Sequence, residues 1–137
     1  MNSESTFRIL IAETQPLVRK GIRKALGVFH DIIVEAEARD GREALEFANG
    51  GRIDVALVDV CMPDRDGFMA IEALSGHIPC VALTANASVD ELLQAMQSGA
   101  SSVIMKNANG AMLAAILRAA YRRRTFNENI ASNFYPV

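Results

Sequence analysis

Five short apolar runs, separated by longer stretches with a helical repeat, constrain this chain more than any other feature. The runs are Arg8–Ala12, Ile32–Ala36, Asp54–Val58, Cys80–Thr84 and Ser102–Met105. Each is too short to be assigned by periodicity alone, but their spacing reads as strands. Between them, Val18, Ile22, Ala25, Leu26 and Phe29 fall on one helical stripe. Val89, Leu92, Leu93 and Met96 repeat that pattern, as do Leu113, Ile116, Leu117 and Ala120. Ala44, Leu45 and Ala48 mark a shorter helix, and Phe68, Ile71 and Leu74 a less regular one. The punctuation agrees. Pro16 suits a first helical turn. Asp40 to Glu43 and Ser88 to Glu91 have the spacing of a capping box. Gly99 stands where a C-terminal cap belongs.

Strands apolar on both faces and alternating with helices predict a parallel sheet covered on both sides. Right-handed crossovers leave few topologies. The leading one is a doubly wound α/β fold, flavodoxin-like, with a five-stranded parallel sheet in the order 2-1-3-4-5. A length of 137 residues is one domain's worth.

Composition excludes several function classes. No apolar run approaches the roughly 18 residues of a membrane span. Residues Met1 to Ser5 are polar and acidic, unlike a signal peptide, so a cytoplasmic location is expected. There Cys61 and Cys80 should stay reduced, at opposite ends of neighbouring strands and too far apart for a disulfide. Neither they nor His30 and His77 have metal-ligand spacing. A net charge of −2 leaves no electrostatic footprint for direct nucleic-acid binding. The basic run Arg122 to Arg124 is read as complementing a helix C-terminus.

Ligands of open parallel sheets bind beyond the carboxyl ends of the strands, where the strand order reverses. Glu13 and Thr14 follow the first strand, and Asp59 follows the third. The fourth ends at Thr84, and Lys106 follows the fifth. Two carboxylates, two hydroxyls and an ammonium suit a hard cation and a phosphoryl group. Asp59 would be a carboxylate nucleophile. Magnesium (Mg2+) would neutralise phosphoryl oxygens, held by Glu13, Asp59 and a backbone carbonyl of Cys61. Lys106 would supply a point charge, and Thr84 a hydroxyl donor. Plainer readings stand beside these. Asp59 alone could be a solvated strand-end acid, Lys106 could snorkel, and threonine suits strands anyway. Asp64 and Asp66 read as loop and capping residues of the third helix.

Four segments carry a family resemblance: Ile9 to Ile22, Asp54 to Gly67 with its Asp-x-x-Met-Pro-x-x-Asp-Gly run from Asp59, Val81 to Ala85, and Gly99 to Lys106. Together they resemble the response-regulator receiver domains of two-component phosphorelay signalling. The likeness covers nearly the whole chain and implies a receiver domain over residues 7–124. Residues 125–137 would be a C-terminal tail or the start of a linker. It implies a phosphoprotein rather than an enzyme, taking a phosphoryl group on Asp59 from a histidine kinase. Output would run through the fourth and fifth helices, which would also form a homodimer face. The stretch Gln15 to Gly21 is similar to receivers that precede a helix-turn-helix domain, which implies transcription regulation. No such domain is read within these residues.

Three positions depart from the family pattern. Thr14 stands where a second acid would ligate the metal directly, so magnesium binding should be weak or lost. Val103 stands where an aromatic ring would move on activation, leaving the Ala85–Ser88 loop or the fourth helix to respond. Asn107 follows Lys106 in place of proline or aspartate. The alternative function is therefore a degenerate receiver, an interaction module independent of phosphorylation. A flavodoxin-like cofactor protein is disfavoured, because Glu13 puts an acid where a phosphate would sit.

Overall fold

In the computed structural model, residues 6–86 and 88–134 are described, with side chains to residue 125. Strand β1 (Phe7–Ala12) leads to α1 (Pro16–Leu26), β2 (Ile32–Ala38) to α2 (Gly41–Gly50), and β3 (Val55–Asp59) to α3 (Asp66–Leu74). Strand β4 (Cys80–Thr84) leads to α4 (Val89–Ser98), and β5 (Ser102–Met105) to α5 (Gly110–Phe134). All four strand pairings are parallel, in the order β2-β1-β3-β4-β5. The expected fold class and strand order are those observed.

The alternation of side chains along each strand builds two unlike cores. Ile9, Ile11, Val55, Leu57, Val81 and Leu83 face one side and pack with Leu26 of α1 and Leu113 and Leu117 of α5. Ala12, Ala38, Ala56, Cys80 and Ala82 face the other. On that side the strands also bring Leu10 and Val58, and α3 adds Phe68, Ile71 and Leu74. Cys80 and Cys61 are both free. Burial pushes the Cys80 thiol up to about 12.

The caps divide more finely than their spacing indicates. Asp40 Oδ1 accepts from the Glu43 N–H at 2.8 Å, but the Glu43 carboxylate returns to the Arg39 N–H, one residue earlier than a capping box requires. Ser88 Oγ accepts from the Glu91 N–H at 3.2 Å. Gly99 ends α4 with φ 112°, the left-handed conformation that glycine adopts without a Cβ penalty.

Asp66 does not cap its own helix. Its Oδ2 accepts from the Gly41 N–H at 2.5 Å, tying the start of α2 to the start of α3.

Helix α5 runs to Phe134, past Arg124, because neither glycine nor proline interrupts the sequence before Pro136. Part of the stretch read as a tail is thus helical, while residues 135–137 lie outside the described residues, as do Met1 to Ser5 and Ala87. The reading of Arg122 to Arg124 as a helix terminus is corrected by the same observation. Arg124 instead donates to the Asp54 carbonyl at 3.1 Å. Arg118 holds Asp31 through two bonds of 2.6 and 3.0 Å, and Tyr121 stacks on Phe7 at 4.6 Å. Among the described residues, no helix is long and apolar enough to cross a membrane.

Gly67 locks α3 under the end of β3. A Cβ there would lie 2.1 Å from the Asp59 carbonyl oxygen, and backbone cannot move aside cheaply. Gly67→Ala is expected to destabilise the fold by about 3 kcal/mol or more, read as a lowered denaturation midpoint.

Candidate functional site at the carboxyl ends of the strands

The parallel sheet delivers the ends of β1, β3, β4 and β5 to one edge, and each ends in a polar group. Asp59 is the last residue of β3 and is 2% exposed. Glu13 follows β1 and is fully buried, while Thr84 closes β4 at 1%. Lys106 follows β5, and its N–H donates to the Thr84 carbonyl at 2.8 Å. Buried charges at the end of an apolar sheet must be paired.

Lys106 provides the pairing. Its Nζ lies 3.0 Å from Asp59 Oδ2 and 3.2 Å from Glu13 Oε1. The Asp59 contact is a directed hydrogen bond. The Glu13 contact is close but poorly aligned, so Glu13 Oε1 is buried without a hydrogen-bond partner. Glu13 Oε2 accepts the Gln15 N–H at 3.1 Å, and Asp59 Oδ1 accepts the Cys61 N–H at 2.8 Å. The chain around Glu13 is braced by Arg19, which donates to the Glu13 carbonyl at 2.7 Å and pairs with Glu37.

Burial raises the Glu13 pKa, and repulsion from Asp59 adds to it. The Gln15 N–H and the Lys106 ammonium pull the other way without prevailing. For Lys106, burial opposes the charge, but the Asp59 and Glu13 carboxylates outweigh it and raise the pKa. The lysine stays cationic at neutral pH, and the ionised Glu13 is held at a cost.

Thr14 does not join this group. It is exposed, and its hydroxyl donates to the Arg39 carbonyl at 3.1 Å, turned toward β2. Thr84 is buried beside the site, but its hydroxyl is engaged with Asn86 and with Glu91 of α4. Val103 is partly buried and packs on the core under α2, α3 and α4. Thus Asp59, Glu13 and Lys106 meet directly, Cys61 contributes backbone contact, Thr84 adjoins, and Thr14 is spent elsewhere.

The sequence reading assigned Gly67, Asp66 and Glu91 no part in the site. The first two lie in the quoted Asp59–Gly67 run, where glycine beside a strand end signals close backbone approach. Glu91 was legible only as half of a capping box.

The arrangement is an anion pair clamped by one cation, in which Glu13 Oε1 is buried 3.2 Å from Lys106 Nζ without a directed hydrogen bond. Among the described residues, no group of three acidic, histidine or cysteine side chains is placed to hold a metal. The protein's share of a metal shell is therefore two carboxylates and backbone or water oxygens. A hard ion that keeps most of its water, such as magnesium, fits that set.

The raised Glu13 pKa fixes a sign. The neutral acid is favoured in the folded protein, so this contribution is fully present below the ordinary value of 4.5 and is lost as pH rises through the raised value. Glu13→Gln removes that loss. The stability difference between variant and parent is expected to grow in the variant's favour from pH 4.5 upward and then level off, measured by urea unfolding across pH. A difference moving the other way would contradict the assignment.

The family model of the response regulator receiver domain matches residues 9–118. The response regulator protein VraR of Staphylococcus saprophyticus is 31% identical over 89% of this chain and 60% of its own length. The nitrate/nitrite response regulator protein NarP of Escherichia coli is 28% identical over 95% of this chain and 62% of its own. The chain spans about half to three-fifths of the curated relatives it matches first. Among solved structures, the NarL signal receiver domain of Mycobacterium tuberculosis superposes with a TM-score of 0.77. It is 29% identical and covers 85% of this chain and 97% of its own. A CheY-like receiver domain of Methanospirillum hungatei has a TM-score of 0.78 at 23% identity, over 90% of this chain and 99% of its own, and supports the fold alone. With the family model matched from β1 into α5, this chain belongs to the response regulator receiver domain family.

Proposed function

We propose that this domain accepts a phosphoryl group on Asp59 from a histidine kinase and passes the signal on through the face formed by α4 and α5. The observation that carries the reading is the position of Lys106 Nζ, 3.0 Å from Asp59 Oδ2 and 3.2 Å from Glu13 Oε1. In the transfer, an Asp59 carboxylate oxygen attacks the phosphorus of a phosphohistidine. The O–P bond forms, the P–N bond breaks, and its electron pair returns to the imidazole. Lys106 then faces the acyl phosphate as a fixed positive charge. Receiver domains bind magnesium at this acidic pocket. Here Glu13, Asp59 and the Cys61 carbonyl would hold it, and it would supply charge neutralisation for the phosphoryl oxygens.

Binding of that ion is weak in this reading, because Thr14 brings no charge and its hydroxyl is donated to Arg39. The setting is cytoplasmic. The matched relatives include the DNA-binding transcriptional activator DevR/DosR of Mycobacterium tuberculosis. By that analogy the output is transcriptional, through a separate domain, with this domain making no direct contact with nucleic acid. A homodimer through α4 and α5 fits the exposed Val89, Leu93 and Met96 on one stripe of α4 and Met112 on α5.

Thr14 also favours a second reading, a degenerate receiver that binds partners whatever the state of Asp59. The two separate on one measurement. The protein is incubated with magnesium and a small acyl-phosphate donor and then weighed. The proposal expects a mass increase of one phosphoryl group, absent in Asp59→Asn. An unmodified mass, under conditions that modify an ordinary receiver, would favour the second reading.

Thr14→Asp is expected to tighten magnesium binding by at least roughly tenfold, the scale on which one altered group near a metal changes affinity. Titration calorimetry on parent and variant checks this, and equal affinities would show that Thr14 does not limit the site.

A further inference from the structure

Residues 13–15 join β1 to α1, and they carry Glu13 to the site. Helix α1 begins without a side-chain cap at Gln15, so this short loop depends on other ties. The Glu13 N–H donates to the Ala38 carbonyl of β2 at 3.0 Å. The Glu13 carbonyl accepts from Arg19 Nη1 at 2.7 Å, and the same nitrogen reaches the Thr14 carbonyl at 3.5 Å. Both backbone groups of Glu13 are thus taken by partners outside the loop. What is left to face Asp59 and Lys106 is its side chain.

Arg19 is itself held. Its Nε lies 3.5 Å from Glu37 Oε1, and Arg23, one turn further along α1, lies 2.8 Å from Glu37 Oε2. Glu37 stands in β2, in register with Ile11 of β1. The Arg19 side chain is 15% exposed against 58% for Arg23, so the inner contact is the less screened by water. A glutamate side chain has several rotatable bonds, and its carboxylate can be directed only from a fixed backbone. Glu13 is fully buried, and an ionised carboxylate there is held at a cost. A released Glu13 would turn toward water.

We infer that Arg19 is a positioning residue for the acidic site, which is steered by Glu37, fixes the backbone of Glu13 and so directs the Glu13 carboxylate inward against Asp59 and Lys106. The inference deepens the magnesium-assisted phosphoacceptor reading and rests on it in part. With the Thr14 hydroxyl donated to Arg39, the acid beside Asp59 is Glu13, and its placement depends on Arg19. The contacts of Arg19 are with carbonyls and with Glu37, so it acts through the loop rather than on the reacting atoms.

Two double-variant cycles on the whole chain test this, and neither involves phosphorylation. In the metal-free protein at neutral pH, Glu13→Gln is expected to raise the urea midpoint. In Arg19→Ala the same substitution should raise it by clearly less, because the released Glu13 already reaches water. Arg19→Lys, whose ammonium can still bond a carbonyl, should restore most of the gain, and Glu37→Gln should lie between. A general loss of stability in Arg19→Ala leaves the comparison intact, since each gain is measured within its own background. No gain in the parent, or an equal gain in every background, would overturn the inference. In the second cycle magnesium is titrated and followed by amide NMR. Arg19→Ala is expected to weaken binding about tenfold, the scale for a group that orients a metal ligand. Combined with Glu13→Gln it should weaken binding no further. An unchanged affinity in Arg19→Ala, or an equal loss with and without Glu13, would overturn the assignment. A parent that binds no magnesium would count against the metal reading instead, leaving Arg19 to the first cycle.

Discussion

A sheet buried on both faces has nowhere to put a charge except at its ends. That constraint organises the whole molecule. The central strands β3 and β4 are buried along their whole length, and parallel connection sends every carboxyl end to the same edge. Glu13, Asp59, Thr84 and Lys106 converge because each is the first polar residue the chain can afford after an apolar run. Lys106 then makes the convergence tolerable, since two buried carboxylates without a cation between them would repel.

Much of this was legible in the sequence. The five strands follow from short apolar runs, and the strand order from handedness and burial. Asp59, Glu13 and Lys106 stand together because strand ends are easily located. Boundaries were less exact. β2 continues to Ala38 and α1 stops at Leu26, where Gly27 takes over, although Phe29 still packs on the core. The end of α5 was missed because a fading apolar stripe reports the loss of a partner surface, while helix continuation depends on the absence of a breaker.

Side-chain direction was the part that spacing could not supply. Thr14 and Thr84 each turn the hydroxyl toward a neighbour, a rotamer choice that spacing along the chain does not determine. Arg39 takes the first, and Asn86 and Glu91 take the second. Glu91 has the spacing of a capping residue, and only the approach of β4 diverts its carboxylate. Gly67 was visible as a motif letter, but its reason is a carbonyl oxygen that leaves no room for a Cβ.

The two cores have different mechanical characters. Beneath α1 and α5, branched side chains from both layers interlock, so displacement there would open voids across the whole face. On the other face, alanines and a cysteine stand beside Leu10 and Val58, and α4 buries only Ala95 against it. A helix with so shallow a footing can slide or tilt while the rest of the fold stays at its energy minimum. The domain thus separates the part that keeps its shape from the part that can report a change, and sequence drift on α4 could retune the report without endangering the scaffold.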